Sequence, residues 1–288
     1  MGETLPLSLL FGLLAALSWG VHDVCVRFIS QKLEIIPTLF IVLFSGLLLT
    51  SLVASITVDW KTLSTQSMIL AAVSGPFFYF ACYSLYAAFS IGPVKLVAPL
   101  IASYPIIFVA GAHFSGVKTS VSEWVAVATI LFGISLVAMS PSDENSNKNK
   151  YVASVWAISA GLFFAIAFSI GQKAATLGPE LATLVITRTA AVLCAFLTIL
   201  FTSKRVLPIL LMPKPLLLLG LMGVLDALAI GAVIWSSRLL HPEYAVVSSS
   251  IFGLITIVLA RIFLQELMTF RQWVGVLITF SGIAYLGL

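Results

Sequence analysis

SEWVAVATILFGISLVA, residues 122–138, returns 149 positions later as RQWVGVLITFSGIAYLG, residues 271–287. At that fixed offset Trp124 falls on Trp273, Val125 on Val274, Val127 on Val276, Gly133 on Gly282 and Ile134 on Ile283. Pro93/Pro242, Phe114/Phe263 and Gly12/Gly161 keep the same register, while Trp19…Arg27 matches Phe164…Gln172 better at an offset of 145. The chain therefore reads as one unit written twice.

Both copies are apolar. Of 288 residues, 60% are hydrophobic and only 9% charged, against roughly 25% charged in an average soluble domain. So little charge cannot clothe a soluble surface. Apolar runs separated by polar or Gly/Pro punctuation give ten spans, near 5–29, 36–58, 67–91, 93–113, 121–140, 151–174, 180–202, 215–239, 242–263 and 270–287. The first, as a helix about 37 Å long, exceeds a hydrocarbon core of roughly 30 Å. It lacks a basic leader and a small-residue cleavage pattern, and reads as a retained span. The hydrophilic PSDENSNKNK, residues 141–150, reads as a flexible polar linker between a first repeat (1–140) and a second (151–288).

Five spans per copy is an odd number, so the second copy must enter the membrane from the opposite face. The expected fold is an all-α integral membrane protein of ten transmembrane helices in two inverted five-helix repeats. Such a pseudo-two-fold axis in the membrane plane lets one structure open to either side in turn.

The charges of the spans are few. Helix 1 carries WGVHDVCVR, Trp19 to Arg27, and the spacing i, i+3, i+4 puts Trp19, His22 and Asp23 on one face. A charge at bilayer depth costs about 2.5–3.5 kcal/mol on insertion scales, so that face must look into the bundle or into water. Asp23 is read either as an i, i+4 ion-pair partner of Arg27 or as a solute or proton site; His22 either as a structural hydrogen-bonding group or as a proton-coupling one. Arg188 in helix 7 and Asp226 in helix 8 are opposite charges on adjacent spans. They read as a neutralising pair or as ligands for a solute's charged groups.

Trp19 and Trp235 lie deep in their spans, as cavity walls or as packing. Tyr79, Tyr83 and Tyr86 form a stripe on helix 3, and Ser248–Ser250 on helix 9 serve either close helix approach or cavity hydroxyls. Helix 4 has Pro99 and Pro105 around Ser103 and Tyr104; these and Gly75–Pro76 are candidate hinges. The substrate pathway expected from these residues comprises Trp19, His22, Asp23, Tyr79, Tyr83, Ser103, Arg188, Asp226, Trp235 and Ser248, with Asp23, His22 and Asp226 as coupling candidates.

Enzyme signatures (G-x-S-x-G, H-E-x-x-H, a Walker loop, Cys/His ligand spacings) are absent from the sequence. Cys25, Cys82 and Cys194 all sit inside apolar runs and read as free buried thiols. No catalytic residue, metal or cofactor is assigned. The net charge of +4 is explained by basic residues flanking spans, without a nucleic-acid partner.

Trp19-Gly20 followed by Arg27, Pro179 followed by Arg188, and LQELMTFRQWVGVLITFSGIAYLG (264–287) with Glu266 as its acid resemble the drug/metabolite transporter superfamily, in its ten-helix EamA type. The likeness covers nearly the whole chain. Departures are the missing arginine of helix 2 near Ser45 or Gly46, and Val117 in place of the first-repeat loop acid. The resemblance implies a secondary carrier with a central cavity between helices 1–4 and 6–9 and helices 5 and 10 as peripheral supports.

The function expected is secondary transport by alternating access of a small polar or amphipathic metabolite, amino-acid-like or drug-like, with proton coupling and simple facilitation both open. The alternative is an integral membrane enzyme or lipid-handling protein with a lateral opening. The partners expected are a small-molecule solute and the lipid bilayer, the chain being a monomer or homodimer. The expected location is the plasma (inner) membrane of a prokaryote.

Overall fold

The computed structural model describes residues 4–114, 120–138, 144–236, 245, 248–249 and 251–286. Among them there is no strand. The helices are α1 (Thr4–Ser30), α2 (Ile35–Thr57), α3 (Thr65–Ile91), α4 (Val94–Ala102), α5 (Pro105–Phe114), α6 (Val121–Ala138), α7 (Glu144–Ala175), α8 (Glu180–Thr202), the single-turn α9 (Leu207–Leu210), α10 (Pro213–Ser236), α11 (Phe252–Phe263) and α12 (Phe270–Leu286).

Seven of these are long and apolar enough to cross a membrane: α1, α2, α3, α6, α7, α8 and α10. Of the other three expected spans, two are broken. The fourth is broken into α4 and α5 at Ser103–Tyr104. Pro105 has no N–H to give the Ile101 carbonyl, which instead accepts from Tyr104 N at 3.2 Å, and a residue before proline is steered out of the helical region. The ninth is also interrupted: Ala245, Ser248 and Ser249 are helical, Ile251 is a turn, and α11 begins at Phe252. At the offset of 149 the two breaks fall within about two residues of each other. The tenth, α12, is a single helix of 17 residues.

One expectation is corrected. The polar stretch 141–150 is not a flexible connector throughout, since Glu144–Lys150 form the first turns of α7, which runs 32 residues. ENSNKNK contains neither Gly nor Pro, so nothing stops the apolar helix of the sixth span from propagating backward into it.

The repeats interlock. α3 packs on α7 and α8, α1 on α10 and α11, and α2 on α8 and α10, while α6 and α12 pack on each other outside them. The α6–α12 pair approaches closely through small residues. A β-carbon on Gly133 would lie 2.4 Å from Thr279 Oγ1 and 2.6 Å from the Gly275 carbonyl. In lipid, where apolar surface gains nothing by burial, such close backbone contact is a main source of helix association. Outward faces carry Leu52, Leu131, Phe132, Phe201, Leu217 and Phe270, all exposed, as a lipid-facing surface requires.

Candidate functional site

Chain direction fixes which end of the bundle each residue occupies. α1 ends where α2 begins, α3 ends where α4 begins, and Glu266 of the α11–α12 loop lies there too, its carboxylate 3.1 Å from Val94 N. We call this the Glu266 end. At the opposite end α7 stops and α8 starts beside the beginning of α3, where Ser67 Oγ donates to the Ala174 carbonyl at 2.8 Å and Ser64 Oγ to that of Leu177 at 2.8 Å. This is the Glu180 end.

Two chambers lie between the helices. The first, about 750 Å³ of empty space, takes His22 and Asp23 from late α1, Leu39, Val42 and Leu43 from early α2, Cys82, Leu85 and Tyr86 from late α3, and Asp226 from α10. The second, about 1260 Å³, takes Ser74 from α3, Gly171, Gln172 and Ala175 from late α7, Glu180, Thr183, Thr187 and Arg188 from early α8, and Val233 and Ile234 from late α10. On every helix the first set falls toward the Glu266 end and the second toward the Glu180 end. Trp19, Phe78, Tyr104, Phe168 and Ile230 line both. These five side chains form the partition, near the middle of their spans. Neither chamber is lined by α6 or α12.

The ionisable groups cluster at the partition. Arg188 Nη2 donates to Asp226 Oδ2 at 2.7 Å, and Trp19 Nε1 donates to Asp226 Oδ1 at 3.2 Å. Asp226 thus faces the first chamber while Arg188 reaches it from the side of the second. The guanidinium is 1% exposed, with its Cζ 5.9 Å from the Phe78 ring. Its Nε and Nη1 are buried without a hydrogen-bond partner. Nη1 points at α2, where a β-carbon on Gly46 would lie 2.6 Å from it; only glycine leaves room there. Asp23, 3% exposed, lies with Oδ1 3.1 Å from His22 Nδ1. Tyr86, its ring 6.4 Å from that of His22, has a buried hydroxyl with no partner.

Arg27 does not pair with Asp23, correcting one of the two sequence readings. It donates to the Phe89 carbonyl and lies 3.7 Å from Glu266. The carboxylate of Glu266 also accepts from Val94 N (3.1 Å) and Lys95 N (3.4 Å), capping α4, whose own N-cap is Pro93. Lys95 Nζ returns to the Leu267 carbonyl at 2.7 Å. A second ion pair, Lys204 to Glu34 at 3.1 Å, joins the repeats at the same end.

Of the expected pathway residues, the structure brings together Trp19, His22, Asp23, Arg188 and Asp226. Others are placed elsewhere. Tyr79 and Tyr83 line neither chamber, because the inward face of α3 is Phe78, Cys82, Leu85 and Tyr86; the Tyr79 ring lies tilted against Tyr83 (6.4 Å) and Tyr83 meets Trp156 edge-on (5.8 Å). Trp235 is 51% exposed on the outer side of α10. Ser103 donates back to the Leu100 carbonyl at 2.7 Å at the helix break. Ser248 serves close packing, its Oγ 3.3 Å from the Leu9 carbonyl of α1, and Ser249 lines the second chamber instead. Ser250 lies outside the described residues. The sequence reading missed Phe78, Phe164, Phe168 and Phe252. The signal was present on α7, where Phe164, Phe168, Gly171, Gln172 and Ala175 follow i, i+4, i+7, i+8, i+11.

The pattern of the EamA-like transporter family matches residues 6–139 and again residues 152–288. The chain belongs to the EamA-like transporter family. Two matches, each covering one five-span unit, agree with the duplication that the EamA-like chain shows in its own sequence. No curated protein matches this EamA-like chain. A solved structure described only as "Crystal structure of protein" superposes with a TM-score of 0.64 at 14% identity, covering 96% of each chain; at that identity the likeness is one of fold.

Proposed function

We propose that the protein is a secondary carrier, not an enzyme, moving a small polar or amphipathic solute across its membrane by alternating access. The carrying observation is the pair of chambers, one toward each end of the bundle, divided by a partition of single side chains from both repeats. Small rearrangements of Trp19, Phe78, Tyr104, Phe168 and Ile230 would join one chamber to the other. The broken fourth and ninth spans supply half-helices that tilt without unfolding a whole span.

Asp23 and Asp226 are the groups on which solute and coupling would act. Asp226 is committed to Arg188 and Trp19, which fits a lock between states. Asp23 with His22 is the place for proton exchange. The location proposed is the plasma (inner) membrane of a prokaryote.

Counterflow in proteoliposomes tests the reading. Solute loaded inside should drive uptake of labelled solute without chemical change, and Asp226→Asn should abolish it while the protein still inserts. Loss of transport on collapsing ΔpH would support proton exchange. Turnover to a new product without counterflow would overturn the carrier reading.

A further inference from the structure

Resting on the carrier reading, the geometry points to the chemical class of the solute: we propose that the first chamber is an organic-cation site with Asp23 as the counter-ion. The argument begins with charge balance. The ionisable side chains lining that chamber include Asp23, Asp226 and His22. Asp226 is neutralised by Arg188 at 2.7 Å. Asp23 has His22 as its partner at 3.1 Å, a side chain that carries no fixed charge. The cation one helical turn away, Arg27, is turned to Glu266 and the Phe89 carbonyl. Among the described residues, therefore, one buried carboxylate in the chamber has no permanent cation. A buried charge left this way is costly unless something compensates it.

The chamber's other walls suit a positive guest. Phe78, Tyr86, Phe164 and Phe168 present rings around the space, and aromatic faces attract ammonium groups electrostatically, more strongly where water is excluded. The Tyr86 ring lines the space, although its hydroxyl is buried without a hydrogen-bond partner.

An anion is poorly served. Arg188, the guanidinium bonded to the chamber's wall, spends Nη2 on Asp226, and its Nε and Nη1 are closed off from any visitor, Nη1 against Gly46. A carboxylate would have to displace Asp226 first. The carboxylate alone would not make a site; the cavity lined by aromatic rings around it does.

Three probes of nearly one shape separate the possibilities: benzyltrimethylammonium, a permanent cation; neopentylbenzene, its neutral isostere; and phenylacetate, an anion. Binding of each to the full chain in nanodiscs is read by equilibrium dialysis. The cation is expected to bind saturably and at least about tenfold more tightly than either other probe, a difference of roughly 1.4 kcal/mol. Asp23→Asn should erase that preference and Asp23→Glu should keep it. Phe164→Leu, which preserves apolar volume, should weaken the cation several-fold and leave the neutral isostere unchanged, and it carries the test if Asp23→Asn does not fold. Equal or tighter binding of phenylacetate, or a cation preference untouched by Asp23→Asn or by Phe164→Leu, would overturn the proposal. Cation binding without counterflow would sink the carrier reading and leave this site standing; counterflow of phenylacetate without cation binding would do the reverse.

Discussion

Asp226→Asn should destabilise the protein far more than replacing Asp226 and Arg188 together. The single change leaves the geometry nearly intact, and Trp19 Nε1, now 3.2 Å from Oδ1, still finds an oxygen on the amide. What disappears is the negative charge 2.7 Å from a guanidinium that is 1% exposed. Removing one partner of a buried pair costs about 3–5 kcal/mol. Asp226, 17% exposed to the chamber, lets some water approach, which puts the expected loss near the low end, about 3 kcal/mol. Arg188→Met with Asp226→Leu removes both charges and fills similar volume, so its cost should be within about 1 kcal/mol of zero, or negative. The assay is an SDS titration followed by circular dichroism on the wild type, Asp226→Asn, Arg188→Met and the double variant. If Asp226→Asn matched the wild type within about 0.5 kcal/mol, or if the double variant were as unstable as the single ones, the pair would not be a buried neutralising contact. The asymmetric division of the two side chains between chambers would then need another cause.

Glu266→Ala should cost about 2 kcal/mol, because it strips charged hydrogen bonds from the first turn of α4 and the counter-ion from Arg27; an unchanged melting curve would mean that the cap contributes nothing. Gly133→Val should lower stability by about 1–3 kcal/mol through overpacking against Thr279 and Gly275. Ligand binding by the folded fraction should be unaltered, since α6 lines neither chamber, and a drop in affinity would contradict that separation. Trp19→Phe should slow counterflow by removing a donor to Asp226, whereas Trp235→Phe should be silent in the same assay. Equal effects would place Trp235 in the pathway after all.

The ten spans and the inverted duplication were legible because hydrophobic runs of membrane length and a shared register at 149 survive in one sequence. The pairing of Arg188 with Asp226 was legible too, as two opposite charges that lipid would not tolerate apart. The helix breaks at Ser103–Tyr104 and Ile251 were harder to read, since Pro105 announces only the first. In the second, backbone geometry near Ile251 interrupts the helix where the sequence reads IFGLIT. The rotation of α3 was not readable either. Tyr79 and Phe78 are neighbours on the chain, and an uncharged helix with serines and tyrosines spread around it offers no single polar face to tell which points inward. Partners remote in sequence were hidden for the same reason. Arg27 could be read against Asp23, four residues away, but nothing local announces Glu266, which loop geometry brings to the end of α1.

That meeting has a consequence for the compartments on either side. Arg27–Glu266, 15% exposed on each side chain, and Glu34–Lys204, 41% and 58% exposed for lysine and glutamate, both tie repeat to repeat at a single end. On the carrier reading, opening that end would separate them. At physiological ionic strength charges are screened over roughly 8 Å, and over less as salt rises. Electrolyte added to that compartment alone should therefore ease opening there, through the exposed pair above all, while the same salt on the opposite face leaves these contacts untouched. On that reading the protein would sense the ionic strength of one compartment through two ion pairs alone.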